Sequence, residues 1–205
     1  MGREAKTDYD EDLAPQQADH VTMGVSMQWY AKKKDKACKF PLFEYGVIFN
    51  EQTAEKRLKG EWTWETGLNS CIVDNLERVR DYGMLVVYSN WSFLKNRSKD
   101  RQRYERQQLE WLAYVAGKRE SRRLLGDIVK NMPHEDATFT TTWSIDLHYP
   151  DTINAQNFPT GAFKAVSRQR VIYPYAVPYR CLYSRNVSNL FMAGRNISVT
   201  HVALG

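Results

Sequence analysis

One long stretch of helical periodicity limits the folds open to this chain. Between Asn69 and Lys95, apolar residues recur at steps of three and four positions, as at Ile72, Val79 and Trp91. Such spacing places the apolar side chains on one face of a helix that packs against other elements. The sequence therefore predicts one long amphipathic helix near the middle of the chain.

A second apolar series follows the strongly charged segment from Arg97 to Arg106, which we expect to be a solvated loop or helix start. Leu109 and Leu112, with Val115 or Ala116, lie three or four positions apart and favour a helix that ends near Ala116. Together with the long helix, this series predicts a helical hairpin.

After Gly117 the pattern changes to short apolar runs separated by prolines and turns. One long helical region and several short strands indicate the α+β class, or a mixed α/β fragment. The chain is thus expected to hold a helical hairpin plus a sheet. The candidate strands are Ser121–Asp127, Ala137–Ile145, Ala162–Tyr173, Tyr179–Tyr183 and Leu190–Ala193.

Composition excludes several classes of protein. The 205 residues carry a net charge of only +5, so the sequence predicts no nucleic-acid partner. No apolar run approaches the roughly 20 residues of a membrane span. The three cysteines are far apart, which favours buried free thiols, and the four histidines lack metal-ligand spacing. There is no Gly-x-Gly pair, and hence no dinucleotide fingerprint.

Residues 117–127 (GKRESRRLLGD) are the first of three segments with side chains suited to chemistry. Four basic side chains surround Glu120, and guanidinium groups such as those of Arg119 and Arg122 can bind a carboxylate or another anion through paired hydrogen bonds. The alternative is a solvated basic turn in which Glu120 is the internal partner.

The second segment, residues 142–150 (TWSIDLHYP), holds Asp146 and His148 two positions apart. On an extended chain both side chains point to one side. A carboxylate beside an imidazole can orient it as a base, so His148 is the candidate base, although an ordinary hydrogen-bonded pair is the alternative.

The third segment, residues 173–205, contains an apolar run, a glycine and then Ser198 and Thr200. This order predicts a strand, a tight turn at Gly194 and a helix start near His201 that either hydroxyl can cap. A helix start of this kind presents N–H groups to an anion or to the polar edge of a ligand.

Trp62 and Trp64 would share one face of an extended chain. We expect them to be core or rim aromatics, with a wall for stacking a substrate as the alternative.

The third segment resembles the C-terminal flavin motif of the glutathione-reductase-like FAD-dependent oxidoreductases, with Arg195 at the usual aspartate position. Residues 177–184 (VPYRCLYS) and 190–205 (LFMAGRNISVTHVALG) are similar to a bacterial subgroup of that family. Gly2–Lys6 (GREAK) and the GKRESRR segment also fit this subgroup, so the resemblance covers essentially the whole chain.

The resemblance implies an FAD-dependent oxidoreductase that transfers a hydride from a small-molecule substrate to the flavin, and a carbohydrate-related compound is one candidate for that substrate. It implies catalytic or anchoring roles for Arg180, Arg119, Arg122 and His148. The residues that it implies for the flavin are Gly194, Arg195, Asn196, Ile197, Ser198, Ala203, Leu204 and Gly205.

The family's glycine-rich ADP-binding motif is absent here, so the chain is expected to be an internal piece of a longer enzyme and inactive alone. The predicted division is a mostly helical cap over 1–116, a strand-rich cap over 117–188 and an incomplete flavin-binding part over 189–205. A non-catalytic carbohydrate-binding or scaffold module is the alternative, as is a relative labelled polysaccharide lyase. Compartment and oligomeric state stay open.

Overall fold

The computed structural model describes most of the chain, and the account below is confined to that part. The described residues are 4–9, 14–19, 22–61, 64–68, 71–118, 123–129, 139–149, 166–200 and 203. The chain divides into two compact units. A central unit comprises Gly24–Lys118 and Asp151–Ala165, and a C-terminal unit comprises Met1–Met23, Arg119–Pro150 and Val166–Gly205.

The central unit contains two antiparallel sheets of three strands each. Their strands are β1 (Val25–Ser26), β2 (Trp29–Lys33), β3 (Lys59–Gly60), β4 (Glu65–Thr66), β5 (Gln107–Leu112) and β6 (Gly117–Lys118). The strand orders are β4-β1-β6 and β3-β2-β5, so the first strand of each sheet along the chain is its centre. Together with the helices below, these sheets confirm the α+β class.

Two helices are described: α1 (Lys6–Tyr9) in the C-terminal unit and α2 (Leu76–Asn96) in the central unit. The predicted long helix is α2, and its buried side includes Val79, Val86 and Trp91. It begins seven residues later than predicted. The amide of Asn75 bonds back to the Cys71 carbonyl (3.3 Å), so residues 71–75 form a turn instead.

Aromatic side chains form much of the core of the central unit. Trp29 stacks on Trp64 with 5.5 Å between ring centroids and lies 6.2 Å from Trp91, which meets Tyr104 edge-on at 6.1 Å. All four rings are buried. Trp64 is therefore a core residue, as the sequence favoured, and it is not part of a substrate wall. Trp62 lies outside the described residues.

The predicted second helix is wrong, and with it the helical hairpin. Residues 101–104 form a short 3₁₀ helix, and after a turn at residues 105–106 the chain forms strand β5, which pairs with β2 from Lys33↔Gln107 to Trp29↔Leu112. An irregularity between Tyr30 and Ala31 shifts the register. The spacing of apolar residues at 109–116 is compatible with a helix or a strand. Residues 107–112 form a strand because β2 supplies partners for their backbone hydrogen bonds.

The C-terminal unit contains two two-stranded antiparallel ladders. Strand β7 (Phe139–Thr141) pairs with β10 (Tyr175–Val177), and β8 (Ile145–Tyr149) pairs with β9 (Val166–Arg170). The β8–β9 ladder is nested within the β7–β10 ladder, because β8 and β9 lie between β7 and β10 along the chain. Strands predicted at 137–145 and 162–173 are confirmed in part.

Three other predicted strands are wrong. Tyr179–Cys181 is a 3₁₀ turn, and the segment 190–193 makes only one isolated bridge, between Phe191 and Tyr183. Residues 123–127 form no strand, and residues 121–122 lie outside the described part. In these segments the backbone makes only a few hydrogen bonds to neighbouring segments, which are described below, and no strand forms.

Candidate functional site

Backbone hydrogen bonds join the described part of the basic segment to two parts of the segment 173–205. The Leu124 N–H donates to the Asn196 carbonyl (3.0 Å), and the Arg185 N–H donates to the Leu125 carbonyl (3.0 Å). The Ser198 N–H donates to the Cys181 carbonyl (2.9 Å). Segment 123–129 therefore meets segments 179–185 and 194–200, which lie about 50 or more residues further along the chain; we call this assembly the motif cluster.

Gly126 is the point of closest approach within the motif cluster. A Cβ at this position would collide with the Arg180 carbonyl oxygen and lie 3.0 Å from that of Tyr183 and 3.1 Å from the Ser198 Cβ. The Ile128 N–H also donates to the Arg180 carbonyl, at 3.4 Å. Glycine is required here because the neighbouring backbone occupies the space of a side chain.

The segment before Gly194 is held to the 179–185 segment. The Met192 N–H donates to the Leu182 carbonyl (2.7 Å), and the Ser184 N–H donates to the Leu190 carbonyl (2.9 Å). Gly194 then has φ +78°, a left-handed conformation that favours glycine. The predicted tight turn is confirmed, and no described atom lies within 4 Å of where a Cβ would be.

The chain after this turn enters the interior of the unit. Ser198, Val199 and Thr200 are buried. The Thr200 hydroxyl accepts a hydrogen bond from the Ala203 N–H (3.3 Å), a bond of the type that an N-cap residue makes. The helix start predicted near His201 lies outside the described residues. Ser198 is only 1% exposed, and its hydroxyl has no hydrogen-bond partner among the described residues.

A half-buried ion pair links the GREAK segment to the motif cluster. Glu4 pairs with Arg123, whose side chain is only 15% exposed. Burial lowers the pKa of the Arg123 guanidinium from its ordinary value, because a charged group loses hydration in the interior. Arg123 is a residue of the basic segment that sequence reasoning did not single out.

A side-chain hydrogen bond also joins two segments of the motif cluster: the Tyr183 hydroxyl donates to the Asp127 carboxylate (2.5 Å). This bond, followed by burial and the nearby carboxylate charge, raises the pKa of Tyr183 above its ordinary value. The Tyr179 ring contacts two other aromatic rings. Its centroid lies 5.3 Å from that of Tyr183 and 6.2 Å from that of Phe191.

The remaining candidates are placed as follows. His148 and Asp146 lie on β8 with 3.0 Å between Nε2 and Oδ2, which confirms the predicted pair. Both residues lie in the β8–β9 ladder, whereas the Gly194 turn is a separate element. Arg180 lies in the 3₁₀ turn with its side chain exposed. Arg195, Asn196 and Ile197 are half-buried in the turn, whereas Arg119, Arg122, Leu204 and Gly205 lie outside the described residues.

Other sites find no support in the part of the chain that the structure describes. That part holds no group of three or more His, Cys, Asp or Glu side chains placed to ligate a metal. None of the three cysteines forms a disulfide, and Cys181 is buried, as the sequence favoured, whereas Cys38 and Cys71 are half-buried. Within the same residues, no helix is both long enough and apolar enough to cross a membrane.

Comparison with known proteins identifies the class to which this chain belongs. The family model described as FAD dependent oxidoreductase matches residues 3–205, so the chain belongs to that family. The expected cofactor, FAD, and a flavin redox role are thereby confirmed. Neither the curated proteins nor the solved structures give a match.

Proposed function

We propose that the protein oxidises a small-molecule substrate by hydride transfer to bound FAD, and that the motif cluster is where this chain contacts the flavin. The observation that carries the proposal is the glycine turn at Gly194, which has a positive φ and open space where a side chain would be. When bound, the flavin supplies the two-electron chemistry that amino-acid side chains lack.

The residues of the cluster fit such a ligand. The Gly194 backbone has no side chain and can be approached closely. Ser198 offers a buried hydroxyl, a donor and an acceptor, that has no partner among the described residues. A buried hydroxyl in this state is more stable when a ligand edge completes its hydrogen bond. The other proposed flavin contacts are Arg195, Asn196, Ile197, Ala203, Leu204 and Gly205.

Arg180 has the proposed role of a charge near the substrate or the flavin edge. Its backbone carbonyl lies against Gly126 and accepts from Ile128, so the main chain is anchored while the guanidinium is exposed. A positioned cation can stabilise negative charge that develops during the reaction. Arg119 and Arg122, in the same basic segment as Arg123, are proposed as anchors for the substrate or the fold.

His148 is the proposed base. The Asp146 carboxylate, 3.0 Å from its Nε2, fixes the imidazole ring and stabilises the cation that forms when the ring takes a proton. The His148 side chain is only 4% exposed, so water is largely excluded from it. The proposal requires that a substrate proton reaches this ring.

The test uses the full-length protein and two variants at the turn. Gly194→Asn adds a side chain that tolerates a positive φ, whereas Gly194→Val adds one that does not. If flavin lies in the open space, both variants lose FAD, measured as flavin absorbance per mole of protein. If the turn requires only its positive φ, the Asn variant keeps its full FAD, and that outcome contradicts the proposed contact.

Reduction of the flavin tests the reaction itself. Under anaerobic conditions, a substrate that donates a hydride bleaches the flavin absorbance, and the His148→Gln variant should bleach more slowly at equal FAD content. Asp146→Asn should give an intermediate rate, because the ring stays but loses the carboxylate charge. Unchanged bleaching rates in both variants would remove His148 from the mechanism.

A further inference from the structure

The positive charge of this protein is concentrated on one face of the central unit. Residues 32–39 contain five lysines and one aspartate, and residues 97–106 contain five basic and two acidic side chains. The two segments together carry +7, against +5 for the whole chain, so the rest is slightly acidic. We call these two segments the basic face.

Tertiary structure brings the two segments side by side. The Lys34 N–H donates to the Arg106 carbonyl (2.8 Å), and the Cys38 N–H donates to the Glu105 carbonyl (3.0 Å). The Lys95 ammonium group holds this corner to the end of α2 by donating to three carbonyls, those of Tyr104, Glu105 and Gln107, at 2.7–3.0 Å. The basic face is therefore a property of the folded chain.

Most of these charges are exposed and lack a counter-ion. Nine of the ten basic side chains in the basic face are exposed, and Lys34 is half-buried. Within the described part of the chain only Lys34 and Arg97 have an acidic partner, Glu110 at 2.7 Å and Glu44 at 4.0 Å. Ten like charges this close repel one another, which favours an external anionic partner.

Exposed apolar side chains lie directly beside the basic face. Residues 40–48, which we call the apolar loop, lie along α2, since the Phe43 and Val47 N–H groups donate to Ser92 and Ser89. The loop presents Leu42, Tyr45 and Ile48, which are 47%, 78% and 85% exposed. The Arg97–Glu44 contact and the Asn96 amide, which donates to the Phe40 carbonyl (3.2 Å), join the loop to the basic face.

We propose that the basic face and the apolar loop together bind the surface of an anionic lipid membrane. The lysines and arginines match negatively charged headgroups, while Leu42 and Ile48 enter the headgroup–acyl boundary and Tyr45 lies at the interface. Exposed aliphatic side chains gain little from a nucleic acid, whose bases stack on aromatic rings. The observed combination therefore favours lipid.

Vesicle co-sedimentation of the flavin-loaded full-length protein tests this proposal. We expect pelleting with phosphatidylcholine vesicles that contain about 30 mol% phosphatidylglycerol, little with pure phosphatidylcholine, and release as salt rises toward about 0.5 M. Equal pelleting with both vesicle types, or with neither, would overturn the proposal. Flavin content is unaffected by these outcomes, so the proposed function is tested separately.

Matched variants locate the surface. Lys36→Glu with Arg101→Glu changes one residue in each basic segment and should lower the vesicle partition coefficient by roughly tenfold or more. Lys59→Glu with Arg78→Glu alters two exposed residues elsewhere in the central unit by the same charge and should lower it by less than about threefold. Equal losses in the two double variants would show that only net charge matters and would overturn the site.

The apolar loop distinguishes lipid from other polyanions. Leu42→Ser with Ile48→Ser keeps every charge and should still reduce binding to the anionic vesicles severalfold. A single-stranded oligonucleotide provides the comparison at the same salt. Unchanged vesicle binding in this variant, or tighter binding of the oligonucleotide than of vesicles, would overturn the proposal.

Discussion

The Tyr183 hydroxyl donates a 2.5 Å hydrogen bond to the Asp127 carboxylate and so ties together two segments that are 56 residues apart. Both residues belong to the motif cluster, one to the basic motif and one to the YRCLYS motif. The bond favours the neutral phenol, which is why the pKa of Tyr183 is raised.

This pair predicts a specific pH dependence. Because the folded pKa of Tyr183 lies above the unfolded value of about 10, the bond stabilises the fold below that pH and is lost as pH rises through the folded pKa. Asp127→Asn should lower the Tyr183 pKa toward its ordinary value. NMR of ¹³C-labelled tyrosine, assigned with Tyr183→Phe, measures the shift. An identical titration in the Asn variant would contradict the assignment.

The close approach at Gly126 predicts a large effect for a small change. Gly126→Ala places a methyl group against the Arg180 carbonyl, and forcing the backbones apart should cost about 1–3 kcal/mol of unfolding free energy. Flavin content should fall as well, because the same contact positions Ser198. Gly117→Ala is the control, since its Cβ would lie 3.4 Å from the nearest atom, the Ser26 carbonyl oxygen.

Denaturant unfolding measures the unfolding free energy of both glycine variants, and flavin absorbance measures their FAD content. Equal stability and flavin content in the two variants would show that the motif cluster accommodates a side chain at Gly126.

The proposed role of Arg180 predicts a separation of turnover from cofactor binding. Arg180→Ala should lower turnover per bound FAD, and the loss of one charge-stabilising donor costs roughly 3 kcal/mol in comparable sites. Arg185→Ala removes another exposed arginine of the same segment and should leave turnover near the wild-type value. If Arg180→Ala instead loses FAD while turnover per flavin stays normal, Arg180 is a cofactor anchor.

The half-buried pair of Glu4 and Arg123 predicts a double-mutant result. Glu4→Gln leaves a largely buried guanidinium without its charge partner and should cost about 2 kcal/mol of unfolding free energy. Adding Arg123→Met removes the stranded charge and should restore much of that loss. Chemical denaturation of the single and double variants measures the coupling. Additive losses would mean that the two groups do not interact.

Local sequence determined several features of this protein by itself. The three- and four-residue apolar steps of α2 need only a neighbouring core to bury them, and the helix forms as predicted from Leu76 onward. The positive φ of Gly194, the Thr200–Ala203 hydrogen bond and the Asp146–His148 pair each depend on residues within three positions of one another. Local geometry is enough to bring such groups together.

Tertiary structure alone decided the rest. Residues 107–112 have apolar spacing that suits a helix, and they form a strand because β2, more than 70 residues earlier, supplies the backbone partners. The fit of Gly126 against Arg180, the Glu4–Arg123 pair and the basic face all join segments distant in sequence. No short-range pattern encodes which distant segments will meet, because that choice depends on how the whole chain buries its apolar surface and satisfies its backbone hydrogen bonds.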